Sequence, residues 1–402
     1  MITRREFGLG AAAGAAAMVA GARPAAAQDR TGVTAASVKV GVLGSITGVQ
    51  AVFGQGNLSG AEIVFDEVNA AGGIHGRRIE IVSVDDESTP ARSIAGFRRL
   101  VEDERVFAVF GPTSSAIGQA MEPTLRAATS VPVFISIFST PAATEPYKAN
   151  VFRTGPLNDR LQGIALADFV LDELKGQKVA LAQQSDEYGR RGGASLTARL
   201  RERGKPLVAT EVFNLTDTDF TSQLLRMRGA EPDVLVIYGF PAPAATLTRQ
   251  ARQLGLTAKI IGSNATSNRT YPATVGPAAV GVMNVITLSA LPEGNDPRMQ
   301  GYVRKFTARF PELARQNRPD LGDCLGYNGA LVFAEGLRRA GQSLSREGFI
   351  QALEGIRDFE TGVGLPTSFG PNRREGNLSA RVLEFQPDLS RRLIEARLNA
   401  RP

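Results

Sequence analysis

Polar and apolar positions along the chain follow two alternating periods. "VKVGVL" (38–43) is a short Val-rich run with the length and composition of a buried strand. Over residues 58–70, Ala61, Val64, Phe65 and Val68 recur at i, i+3, i+4 and i+7, one face of an amphipathic helix. "AAGGIHGRR" breaks that pattern, and "IEIVSV" (79–84) reads as the next strand. Residues 91–104 then set Ile94, Phe97, Leu100 and Val101 on a second helical face. "VFAVF" (106–110) and "VPVFI" (131–135) are two further strands with a helix between them. The same alternation restarts after Phe152-Arg153-Thr154, with strands at "KVALAQQ" (178–184), "LVATEVF" (207–213), "DVLVIY" (233–238) and "AKIIGSN" (258–264). Strand–helix alternation predicts parallel sheets covered by helices on both faces. Two such units predict two α/β domains, and 402 residues suffice for them. The last third has too few elements for a third domain. It is expected to complete the first two, the chain crossing between them more than once.

Ligands of such sheets bind beyond the carboxyl ends of the strands. Two strand ends carry matching chemistry. After "VFAVF" the chain turns at Gly111-Pro112, presents Thr113, Ser114 and Ser115, and begins a helix. After "VPVFI", the stretch "ISIFSTPAA" (135–143) supplies Ser136, Ser139 and Thr140. Hydroxyls and backbone N–H groups at a helix start cradle an anion such as a carboxylate. Any one of these hydroxyls could equally be a helix cap; two loops of the same character point to a site.

Composition narrows the chemistry. The chain is 43% apolar and 21% charged, with no Trp, one Cys and one His. That leaves no Cys/His zinc cluster, no disulfide and no second His for a metal triad, so neither a metal nor a cofactor is expected. Cys324 reads as a small buried apolar residue. Gly41, Gly44 and Gly48 of "GVLGSITG" do not fit GxGxxG, and GxxxxGK[ST] is absent, which argues against a nucleotide. A hydrolase would need a base beside Ser114 or Ser115, yet GxSxG is missing and His75 sits in the turn "GGIHGRR". The Asp85-Asp86 pair of "DDES" reads as a loop capping the next helix. No catalytic residue is therefore assigned. The formal charge of +6 is dispersed in stretches such as "RRLVEDER", a solvated helix face rather than a nucleic-acid surface. Residues 1–27 read as an export signal of twin-arginine type. Arg4 and Arg5 precede an Ala/Gly-rich run, and cleavage is expected between Ala27 and Gln28. No later run approaches a membrane span, so a soluble periplasmic protein is expected.

The marks "VKVGVLGSITG", "GAEIVFDEVNAAGGIHGRRIEIVSVDDESTP", "VFGPTSSAIGQAMEP", "FRTGP", "DEYGRRG" and "LTRQARQLGL" occur in that order over residues 37–390. Together they resemble the leucine/isoleucine/valine-binding proteins of the type I periplasmic binding fold, which feed ABC importers. The resemblance implies two doubly wound parallel-sheet lobes joined by a three-crossover hinge. The crossovers would fall near Phe152–Gly155, Ile286–Ser289 and Gly364–Ser368. The N-lobe would comprise 37–154 and 287–365, the C-lobe 155–286 and 366–399. The partners it implies are a small ligand with a carboxylate or amide and the permease subunits of an importer. It implies that Ser115, with its neighbour Ser114 and the backbone around Phe138 and Thr140, holds the ligand headgroup. Phe53, Tyr188, Phe240 and Tyr327 match aromatic positions that pack on the ligand.

The chain departs from that pattern in two places. Asn264 stands where amino-acid binders carry an acid for the ligand ammonium, and Phe138 is bulkier than the residue usual there. A neutral Asn suits an amide, hydroxyl or carbonyl group, so a deaminated acid or amide is the expected ligand unless Asp186 or Glu187 turns into the cleft. The leading expectation is a periplasmic solute-binding protein that delivers an amino acid or related small carboxylate to an ABC importer; a ligand sensor of the same fold for an amide or aromatic acid and an exported hydrolase are the competing readings.

Overall fold

A computed structural model describes residues 28–400; the expected export signal, 1–27, lies outside the described residues. Two sheets organise the chain. The first contains β1 (Ser37–Gly44), β2 (Arg78–Asp85), β3 (Ala108–Phe110), β4 (Val133–Ile135) and β5 (Val151–Arg153), all parallel, in the order β2-β1-β3-β4-β5. The second contains β6 (Val179–Gln184), β7 (Ala209–Phe213), β8 (Val234–Tyr238), β9 (Lys259–Gly262), β10 (Met283–Ile286), β11 (Ser379–Phe385) and β12 (Arg391–Asn399). Its order is β12-β11-β10-β9-β8-β6-β7. It is parallel except where β11 and β12 close one edge antiparallel. The expected doubly wound α/β architecture is thus present in both halves.

Strand order places the site. In the first sheet β1 lies between β2 and β3, and in the second β6 lies between β7 and β8. At each switch point successive connections leave in opposite directions and open a crevice above the strand ends. The loops that line these crevices are Gly111–Ser115 after β3, Gln184–Tyr188 after β6 and Gly239–Phe240 after β8. Gly111 makes the first of them possible. Its φ is 113°, and a Cβ there would collide with the Leu43 carbonyl oxygen.

The Ala51–Ala70 helix packs along the Leu321–Ala340 helix, so a segment from late in the chain completes the first half. Gly56 and Gly60 face Gly322 and Gly326, and the missing side chains let the two backbones nearly touch. Passages between the halves pair with one another. Leu288 bridges Gly364, Ser289 N–H donates to Val363 O at 2.9 Å, and Arg153 bridges Glu375. Residues 366–374, expected with the second half, instead pack on the first. The Phe359–Thr367 bridge and the turn at Gly370–Arg373 lead the chain back over Phe152. There Phe369 meets that ring edge-on at 5.1 Å and the Arg374 guanidinium lies 4.5 Å from it. The third passage therefore falls at Arg374–Gly376 rather than at Gly364–Ser368.

Candidate ligand cleft

Between the two switch points lies a small cavity lined by Phe53, Thr113, Ser114, Ser115, Ile137, Phe138 and Ser139 from one side. Tyr188, Phe240, Asn264 and Ala265 close it from the other, with Pro156, Leu321 and Leu325 at its edges. Seven of the nine predicted site residues meet here: Phe53, Ser114, Ser115, Phe138, Tyr188, Phe240 and Asn264.

The hydroxyls differ in how far they are committed. Thr113 Oγ1 accepts from Ser45 N–H at 3.1 Å and braces β1. Ser114 occupies the N-cap position of the Ser115–Ala120 helix but makes no side-chain cap bond. Ser115 Oγ accepts from Ser139 N–H at 3.2 Å and lies 3.4 Å from Ser139 Oγ, which ties the two loops together. The helix has only six residues, so its dipole is short and the hydroxyls supply most of the polarity. Phe138 fits because Gly118, on that helix, leaves room for its ring.

Two predicted residues stand elsewhere. Tyr327 does not line the cavity. Leu321 and Leu325, four apart, share the helix face that does, whereas Tyr327 is two residues on and faces Tyr302 at a ring distance of 4.2 Å. Thr140 is fully buried behind the cavity wall; its carbonyl accepts from Arg153 Nη2 at 2.8 Å, and its Oγ1 has no partner. The Phe138 carbonyl accepts from Arg153 Nη1. Both carbonyls are thus turned to a buried guanidinium.

An acid stands behind Ser139, outside the set of residues that line the cavity. Asp159 opens the Asp159–Asp172 helix and is fully buried. Its Oδ1 accepts from Ser139 Oγ at 2.7 Å and from Tyr238 O–H at 3.1 Å, and its Oδ2 is buried without a partner. Burial pushes this carboxyl up to about 7, opposed by the Ser139 hydrogen bond and the nearby Arg153 charge. The candidates offered by sequence are occupied. Asp186 caps the Glu187–Glu202 helix by accepting from Gly189 N–H at 3.0 Å, and Glu187 pairs with Arg191 at 2.6 Å. A chain of hydrogen bonds joins Asp159 to the second switch point. Gln162 Nε2 donates to Tyr238 Oη at 2.9 Å, and Gln162 Oε1 accepts from Asn264 N–H at 2.6 Å. Tyr188 Oη accepts from Ala265 N–H at 3.3 Å, and the Tyr188 ring stacks on Phe240 at 5.3 Å. The only histidine, His75, contacts the Arg338 carbonyl at 2.9 Å on the surface, so it is no base for Ser115.

Substituting Ser115 by Ala is expected to lower ligand affinity roughly ten- to a hundredfold, since a hydrogen bond to a charged group contributes about 1.5–3 kcal/mol. Calorimetry on the variant, with a urea titration beside it, measures this. A lower urea midpoint with unchanged affinity would make Ser115 only a link between the two loops.

Two sheets with facing switch points, a cavity between them and paired chain passages define a two-lobed solute-binding protein. The profile of the periplasmic binding protein family matches residues 37–388, and the chain belongs to that family. It is 26% identical over 368 residues to the leucine-, isoleucine-, valine-, threonine- and alanine-binding protein of Pseudomonas aeruginosa, covering 89% of this chain and 92% of the relative. It is 32% identical over 281 residues to an amino acid binding protein of the same organism, covering 68% and 72%. A branched-chain amino acid ABC transporter structure from Thermus thermophilus with bound valine superposes with a TM-score of 0.81 at 20% identity, covering 90% of this chain and 96% of that one. No helix among the described residues is long and apolar enough to cross a membrane.

Proposed function

We propose that this periplasmic protein captures a zwitterionic α-amino acid with an apolar side chain and delivers it to the permease of an ABC importer. In this reading the lobes turn about the passages near Thr154, Ser289 and Glu375. The observation that carries it is Asp159, a buried carboxyl with an unpartnered Oδ2 that is hydrogen-bonded to Ser139 directly behind the cavity wall, where opening of the lobes would bring it to a ligand. The hydroxyls suit the ligand carboxylate and Asp159 suits its ammonium, a separation of charge that matches a zwitterion. An ammonium taken out of water needs such a partner, since uncompensated burial costs several kcal/mol. Relatives named as amino acid binding proteins support this reading over the lean towards a deaminated acid or amide drawn from Asn264. The role is read as solute binding, in keeping with the periplasmic binding protein family to which the chain belongs.

The reading predicts a pH dependence of definite sign. In the free protein the Asp159 carboxyl lies at about 7, well above its unfolded value of about 3.9. Its contribution to free-state stability is therefore full below about pH 4 and lost as the pH rises through about 7. Asp320, raised to about 6 by burial, acts with the same sign. Ligand binding runs the other way, because the ammonium requires the carboxylate. Affinity for L-leucine should be flat above about pH 8 and fall by up to about tenfold per unit below 7. Calorimetry with L-leucine, L-valine and L-phenylalanine against their deaminated acids, between pH 5.5 and 8.5, tests both statements. Tighter binding of the deaminated acids, or an affinity for L-leucine that does not change with pH, would overturn the proposal.

A further inference from the structure

The cleft has a second compartment. Beside the inner cavity, whose volume is only about 30 Å³, lies an outer one of about 430 Å³, also walled by both halves. The inner space holds little more than a water or two. Phe53 and Phe240 are the only residues that line both. Their rings lie 6.0 Å apart, tilted by 44°, and form the partition. Both are half-buried, while the inner aromatics Phe138 and Tyr188 are packed to 2% and 4% exposure. The partition is thus the least constrained part of the aromatic wall.

The outer compartment is apolar near the rings and amide-rich beyond them. Val52, Leu215 and Tyr271 contribute to its walls, and Val52 is 42% exposed at its mouth. The charges at its edge are already engaged. Arg318 Nε donates to Asp323 at 2.9 Å, and Asp320 accepts from the backbone N–H groups of Arg269 and Leu321 at 2.9 and 2.8 Å. Gln50, which lines the compartment, has a buried Oε1 with no partner. A buried acceptor of this kind calls for a donor.

We infer that the preferred ligand is an amino acid with a side chain longer than that of leucine, which parts Phe53 from Phe240 and ends in an uncharged hydrogen-bond donor facing Gln50. This rests on the amino-acid reading of the inner site and extends it to the side chain. The headgroup stays at Ser115, Ser139 and Asp159, and the stem passes between the two tilted rings, Phe53 being the one free to turn while Phe240 keeps its stack on Tyr188. A charged tail is disfavoured because the outer compartment has no uncommitted counter-charge to meet it.

The test is calorimetry with L-leucine, L-homophenylalanine, L-tyrosine and 4-carboxy-L-phenylalanine on the full mature chain, its Val52→Trp variant and its Gln50→Leu variant. L-Tyrosine and L-homophenylalanine should bind about tenfold tighter than L-leucine or better, and the carboxylated analogue should bind weakest of the aromatic three. Val52→Trp, which narrows the outer compartment, should lower the tyrosine-to-leucine affinity ratio about tenfold. Gln50→Leu should lower tyrosine relative to homophenylalanine. L-Leucine ranking first, or a tyrosine-to-leucine ratio unmoved by Val52→Trp, would overturn the inference and leave the amino-acid reading standing. Failure of every compound to bind would overturn both.

Discussion

Asp159→Asn should reduce affinity for an α-amino acid by about two to three and a half orders of magnitude while its deaminated acid loses little, because an ammonium left without its buried counter-charge costs about 3–5 kcal/mol. Asn has the shape of Asp. Its Oδ1 can still accept from Ser139 Oγ and Tyr238 O–H, so the contacts that order the two loops persist. What changes is the charge at the unpartnered Oδ2 position. The free protein should keep its stability or gain some above pH 7, where the natural carboxyl is ionised at a cost. The pH dependence of amino-acid affinity between 5.5 and 8.5 should flatten in the variant. Adding Asn264→Glu would place an acid in the cavity lining itself and recover part of the lost affinity. Equal losses for amino acid and deaminated acid would mean that Asp159 only orders Ser139, and that the ammonium is held elsewhere.

The contrast between Asp159 and Tyr327 shows what the sequence could carry. The strands and the two switch-point loops were legible because apolar runs of four to six residues, ending in small polar residues, leave few other folds open. "GPTSS" and "ISIFSTPAA" could be read as neighbours from strand alternation alone. Tyr327 was misplaced because its assignment rested on resemblance, while the helical period decides which side of Leu321–Ala340 faces the cleft, and that side carries Leu321 and Leu325. Asp159 was missed because "RTGPLND" reads as a loop running into a helix, and an acid there passes for a first-turn helix residue. Its neighbour Asn158 is the cap, accepting from Leu161 N–H at 2.9 Å, which frees Asp159 for the interior. An acid next to a satisfied cap, just after a passage between the halves, was the available signal. The return of residues 366–374 to the first half was not readable, since it depends on Phe369 and Arg374 finding Phe152, a contact across more than 200 positions.

Arg153→Met is expected to be the most destabilising single change near the cleft, by about 3–5 kcal/mol, because it leaves a mostly buried acid without its partner. Arg153 is 1% exposed. Its guanidinium donates to the carbonyls of Phe138 and Thr140 and lies 3.0 Å from Glu375 Oε2. Its backbone N–H donates to Arg374 O at 2.9 Å, and its carbonyl accepts from Gly376 N–H at 2.8 Å. One residue therefore holds the headgroup loop, the first passage and the third. Met fills much of the volume but satisfies neither carbonyl, and Glu375 keeps only Thr144 Oγ1 at 2.6 Å and Asn158 Nδ2 at 3.1 Å as donors. Lys in the same place would keep the charge but not the fork that reaches two carbonyls and a carboxylate together, so Arg153→Lys should recover only part of the loss. Removing the guanidinium also removes the positive charge that favours ionised Asp159. The pH below which amino-acid affinity declines should then move upward in Arg153→Met. Urea titration at pH 7 and calorimetry across pH measure the two effects on the same samples. A stability loss under about 1 kcal/mol, the size of a typical surface effect, would show that the carbonyls and Glu375 find other partners. An unmoved pH profile would show that Asp159 does not sense the Arg153 charge.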